Sequence, residues 1–188
     1  KDFNKNDAQK VIDYLQKGGK AIIVGMHSET EMPNFASILD TYGVSLTTGP
    51  IADNDAQHYY NMGGPLYLLP NVNSSSYTGS LSGGYVYLPI SLGINYPQNS
   101  TTDDTESTEE SKTTYTSLLD TSDDAVAKNN PNSMQDYGYE DGDDKGPFSV
   151  GLAVEDKVDD DHTTQLVVFA SPYVFSDDAS QMTTNNAS

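Results

Sequence analysis

The chain has no cysteine, no tryptophan and no arginine, and only three histidines among its 188 residues. Without cysteine there is no disulfide, no thiolate metal site and no cysteine nucleophile. Without arginine the fixed cations are nine lysines, set against 28 acidic residues, for a net charge of -19. Such a chain repels phosphate backbones and anionic headgroups, which excludes nucleic acid and a basic membrane-binding face as natural partners. No stretch approaches the roughly 20 apolar residues of a membrane-spanning helix, and no signal-peptide pattern opens the chain. A membrane tie would have to run through transmembrane segments outside this sequence. Neither the G-x-x-x-x-G-K-[ST] nor the G-x-G-x-x-G phosphate cradle occurs, and H-E-x-x-H is absent, so no cofactor or metal is expected.

What is present is patterned most clearly at the start. Ala8, Val11, Ile12 and Leu15 have the spacing of an amphipathic helix. Asn4 can cap it, Phe3 can staple onto Ala8, and Gly18-Gly19 supplies a left-handed stop. Ala21 to Val24 reads as a buried strand of a parallel sheet, followed by a turn at Gly25. A second helix has Pro33 in its first turn, a stripe of Phe35, Ile38, Leu39 and Tyr42, and Gly43 at its end. Val44 to Thr48 would be the next strand.

Helix, strand, helix, strand predicts a layered α/β fold with a mostly parallel sheet, whose first strand would lie upstream of Lys1. Further strands are expected at Leu66–Leu69, Tyr85–Ile90, Tyr115–Leu119, Phe148–Val154 and Gln165–Ala170. Short helices are expected at Ser122–Lys128 and after Ser176 to Asp178. The whole chain, 1–188, is expected to be one domain with two acidic loop insertions, 95–114 and 129–146.

The search for chemistry finds little. The serine- and glycine-rich segment Gly79 to Gly84 does not match G-x-S-x-G and reads as a hairpin loop. His27 follows a strand at the position where open α/β sheets place ligands. Calcium would need several oxygens from one tight turn. The candidate tracts Asp53-Asn54-Asp55, Glu140 to Asp144 and Asp159 to Asp161 lack the required spacing, so they read as solvated acidic loops.

Several segments taken in order resemble a family. They are DFNKNDAQKVIDYLQKGGKAIIV, PNFASILDTYGVSLTTGPIAD, LYLLPNV, TSLLDTSDDAVAK, KGPFSVGLAVED and LVVFASPYVFSD. Together they look like the GldG-like ABC transporter auxiliary domain, also called the uncharacterised ABC-type transport system family, of which some members are tied to gliding motility. The resemblance implies a flavodoxin-like or class I glutamine-amidotransferase-like core. It also implies a membrane-anchored bacterial parent that holds this domain on the extracytoplasmic face, with ABC permease and ATPase subunits as partners. No catalytic residue comes with it, and the turn where amidotransferases carry a nucleophile is Gly25-Met26-His27-Ser28 here.

The expected function is therefore a non-catalytic binding or scaffolding module, using loops at the C-terminal edge of the sheet. The residues singled out are Gly25, Met26, His27, Ser28 and Glu29, then Pro70 and Asn71, then Ser171 and Tyr173. Two alternatives remain open at this point. One is a solute- or glycan-binding domain, which needs a deep aromatic-lined pocket; the other is a hydrolase built on His27 and Ser28, which needs a carboxylate beside His27 in a cleft.

Overall fold

The computed structural model describes residues 1–79, 85–98, 112–129 and 136–176, and the account below is of these. The first helix, α1, spans Lys5–Leu15, and the Asn4 side chain accepts the Asp7 N–H at 2.9 Å as its cap. Phe3 stacks on Phe35 of the second helix, with ring centroids 6.4 Å apart. Gly18 takes a φ of 84° and turns the chain into strand β1, Lys20–Val24. The second helix, α2, is Pro33–Asp40, and Gly43 at φ 66° ends the turn that follows it.

From here the layered α/β expectation fails. The strands are β2 Ser45–Leu46, β3 Ile51–Asp53, β4 Tyr67–Leu68, β5 Asn71–Val72, β6 Leu88–Pro89, β7 Ile94–Asn95 and β8 Thr113–Asp120. They continue as β9 Ala125–Ala127, β10 Asp144–Lys145, β11 Ser149–Lys157 and β12 Thr163–Phe169, before a short 3-10 helix at Pro172–Phe175. The main sheet is mixed. β1 runs parallel to β12, but β12 is antiparallel to β11, β11 to β8, and β8 to β5. β11 also meets β7, which continues to β2, again antiparallel. β10, β9 and β3 form a second sheet, and β4 pairs with β6.

The fold is thus mostly β, with two α-helices among the described residues, and not a flavodoxin-like or amidotransferase-like core. The physical reason lies in the connections. Parallel strands need long crossovers, usually helical. After α2 no α-helix joins one strand to the next among the described residues, and β11 and β12, linked by residues 158–162, pair antiparallel.

Two further expectations are corrected. Ser122–Lys128 is not a helix: Ala125–Ala127 is fully buried and pairs with both β3 and β10. A helix would expose one face of this segment, whereas a three-residue strand hides all of it between neighbours. The β1 strand is not buried in mid-sheet but lies at its edge, where Ile22 is 60% exposed. The helix expected after Ser176 falls largely outside the described residues, as do 99–111 of the 95–114 segment and 130–135 of the 129–146 segment.

The core lies on both faces of the sheet. Leu152, Val154, Leu166 and Val168 pack under α1 and α2 with Leu15, Ile38, Leu39 and Val44. On the other face Val150, Ala153, Val167 and Phe169 meet Ile51, Leu68, Leu88 and Leu119. The alternation along β12, with Leu166 and Val168 on one side and Val167 and Phe169 on the other, is the period of two of a strand buried on both faces.

Candidate functional site

The edge of the sheet where β1 and β12 end together carries the most complete candidate site. The Gly25 N–H donates to the Phe169 carbonyl at 2.7 Å, so the chain stays tied to β12 for one residue beyond β1. A Cβ at Gly25 would lie 2.4 Å from Leu46 Cδ1, so that side chain would have to move aside. This close approach brings the following turn against β2. Met26, His27, Ser28 and Glu29 are all exposed. The Ser28 hydroxyl donates to the Thr30 carbonyl at 2.8 Å and accepts the Thr30 N–H at 3.2 Å, so local bonding shapes the turn.

Between this turn, α2 and β2 lies an open groove of about 260 Å³. Its apolar lining comes from Met26, Met32, Phe35, Leu39, Val44 and Leu46, and its charged groups are Glu31 and Asp40. Two methionines give such a surface freedom to repack around different apolar groups. One aromatic ring and a volume below the range of small-molecule pockets do not make the deep aromatic site that a solute-binding domain needs. His27 lines the groove but makes no hydrogen bond or ion pair among the described residues. Ser28 is engaged with Thr30, not with His27. The pairing that a His27/Ser28 hydrolase requires is not formed.

The other residues singled out from sequence divide differently. Ser171 leaves β12 beside Gly25, but it is buried: its hydroxyl donates to the Pro89 carbonyl at 2.8 Å and accepts the Tyr173 N–H at 3.4 Å. It fixes the start of the 3-10 helix, and Tyr173 beyond it is exposed. Pro70 is buried, and Asn71 opens β5 opposite Asp120, at the far side of the sheet with β12, β11 and β8 between it and β1. The fold therefore unites the Gly25 and Ser171 segments and leaves Pro70 and Asn71 apart.

Asn71 belongs to a different arrangement. Its side-chain oxygen lies 3.2 Å from His58 Nε2, while His58 Nδ1 is 3.0 Å from Asp55 Oδ2. Both ring nitrogens face acceptors, and no hydroxyl takes the place of a nucleophile. The cluster ties the 53–60 segment to β5.

Most residues of the acidic tracts are exposed, as solvated loops would be, but Asp53 and Asp143 are buried. Asp53 is fully buried and accepts the Ser122 N–H at 2.9 Å and its hydroxyl at 2.5 Å. Asp159 receives the N–H groups of Asp161 and His162, which hold its carboxyl below the usual range. In the 140–144 tract the cation is a lysine. Lys128 Nζ lies 2.6 Å from Asp143 and 2.7 Å from the Gly138 carbonyl, and both side chains of the Lys128–Asp143 pair are completely buried.

Burial alone would push the Lys128 pKa down and that of Asp143 up. Their pairing, with Glu140 beside Lys128 and two backbone N–H groups on Asp143, outweighs it, raising Lys128 and lowering Asp143. Sequence reading overlooked this pair. Its signal was available: Lys128 is the lone cation between Lys112 and Lys145. No cluster of three or more metal-ligating side chains occurs among the described residues.

No protein-family model matches the chain, and neither does any curated protein. Among solved structures the fold is similar to one named mmIFT52 N-terminal domain. The TM-score is 0.61 at 14% identity, over 96% of this chain and 65% of that one. At that identity the likeness is one of fold. It accords with a mixed, mostly β architecture and overturns the α/β and flavodoxin-like description implied by the sequence resemblance. Nothing in these comparisons concerns GldG-like ABC transport.

Proposed function

We propose that the protein is a non-catalytic binding module that seats an apolar side chain of a basic partner segment in the groove beside the Gly25–Met32 turn. The observation that carries this reading is the groove itself: apolar inside, open, with Glu31 and Asp40 as its charged groups. A net charge of -19 adds long-range attraction for a lysine- or arginine-bearing partner. The partner class, an ABC permease with its ATPase, and an anchored position on the extracytoplasmic face rest on the sequence blocks alone. No helix among the described residues is long and apolar enough to cross a membrane.

The test is a pull-down from solubilised native membranes with the full-length parent, run in parallel with Met26→Glu and Glu31→Lys variants. Both side chains are exposed, so the fold should be retained. Recovery of permease and ATPase by the parent, lost with either variant, is the expected result. Recovery undiminished by both substitutions would remove the groove from the proposal, and recovery of no transporter subunit would remove the partner class.

A further inference from the structure

Among the described residues, strand β1 is paired on one side only. Gln165 N–H donates to the Gly19 carbonyl at 3.2 Å and Gly25 N–H to the Phe169 carbonyl at 2.7 Å. In a parallel pair, alternate residues turn both backbone groups the same way. Ala21 and Ile23 therefore also face β12, and Lys20, Ile22 and Val24 face outward. The outward groups of Lys20 are already capped: its N–H donates to the Tyr14 hydroxyl at 3.1 Å, and that hydroxyl donates back to the Lys20 carbonyl at 3.1 Å. The N–H and C=O of Ile22 and Val24 meet no hydrogen-bond partner among the described residues.

Native edges are usually blunted by proline, a bulge or central charge. Lys20–Val24 opens on a lysine but has no proline, bulge or further charge, its ladder with β12 is unbroken over five residues, and Ile22 is 60% exposed.

We propose that the β1 edge is a self-association site, where a second copy of this chain adds its own β1 antiparallel about a two-fold axis at Ile23. The register follows from the Tyr14 cap. With the axis at Ile23, Ile22 of each copy lies opposite Val24 of the other, and the two pairs exchange four hydrogen bonds, using every open backbone group. Lys20 keeps its bonds to Tyr14. Ile22 then covers Val24 of the other copy on the face away from the helices.

Charge selects the same partner. Antiparallel pairing brings the end of β1 that carries Lys17 and Lys20 toward the end of the other copy that leads to Glu29; parallel pairing would set like against like. The first 20 residues hold five of the nine lysines and only three of the 28 acidic residues. The inference does not rest on the groove, and the groove variant Glu31→Lys leaves β1 and its immediate flanks unchanged.

Sedimentation of the full chain should show a concentration-dependent dimer, and Ile22→Lys should weaken it at least ten-fold while leaving the circular dichroism spectrum unchanged. Because the chain has no cysteine, single cysteines report the register cleanly. Ile23→Cys should form a disulfide dimer on mild oxidation, since residues on the axis face each other at bridging distance. Ile22→Cys, two positions out of register with itself, should not. A chain that stays monomeric at every concentration overturns the proposal. So does a dimer indifferent to Ile22→Lys, or faster cross-linking through position 22 than through 23.

Discussion

The helix-covered face of the main sheet and the side built from β3, β9 and β10 are held together by different means. Under α1 and α2 the contacts are apolar and interlocked, with Leu15, Leu152, Leu166 and Val168 fully buried. On the other side Ile51, Ala125 and Ala127 join an apolar cluster too, but the strands are two or three residues long and buried charge links them as well: Asp53 holds Ser122, and Lys128 holds Asp143 with the Gly138 carbonyl. Apolar burial tolerates partial loss, because neighbours can relax into a cavity. A buried ion pair does not, because removing one member leaves the other charged and unpaired.

That contrast is tested most severely at Lys128. Lys128→Ala is expected to cost about 3–5 kcal/mol in urea unfolding, whereas the double change Lys128→Met with Asp143→Leu should recover most of it. If the single and double variants are equally unstable, the pair is not what holds that side. Leu166→Ala, under the helices, should cost about 2–5 kcal/mol and do so equally at every pH.

The pH dependence should separate the two sides. Asp143 has a depressed pKa, so its contribution is present above the ordinary value of 3.8 and is lost as pH falls through the lower folded value. Lys128 has a raised pKa, so its contribution is full below 10.5 and lost as pH rises through the higher folded value. Stability from the pair should therefore be flat between these limits, and the double variant should lose less stability in acid than the parent.

Smaller effects refine the picture. Asp53→Ala leaves the Ser122 N–H and hydroxyl without their acceptor and should cost about 1–3 kcal/mol. Ile90 sits between β6 and Ser91 with φ at 51°, a conformation that a β-branched residue adopts only under strain. Replacing it with glycine should stabilise the protein by up to about 1 kcal/mol in thermal unfolding, provided its exposed side chain contributes little.

The local features of the first 45 residues were legible because their causes lie within a few residues of each other. The Asn4 cap, the Gly18 stop, the Pro33 start and the Gly43 end each act on their own turn. Beyond α2 legibility fell, since a segment such as Ala125-Val126-Ala127 carries no period and takes its state from β3 and β10, whose residues lie far away in sequence. The site was legible in the same measure. The turn at Gly25 could be found because it follows a strand, but not the groove beside it, which needs Leu46 and Phe35 brought to it. Ser171 and Asn71 looked like loop residues available to a ligand, and they proved to hold backbone and side chain in place.

By itself, then, the sequence determined two helices with their ends, the strands β1, β8, β11 and β12 in outline, and a strongly acidic character, since all of these follow from local spacing, capping and composition. Strand direction, the edge position of β1, the pairing of Lys128 with Asp143 and the groove under α2 were decided by the tertiary structure. Each depends on which distant segment a residue meets, and a one-dimensional pattern of apolar and polar residues does not encode that choice.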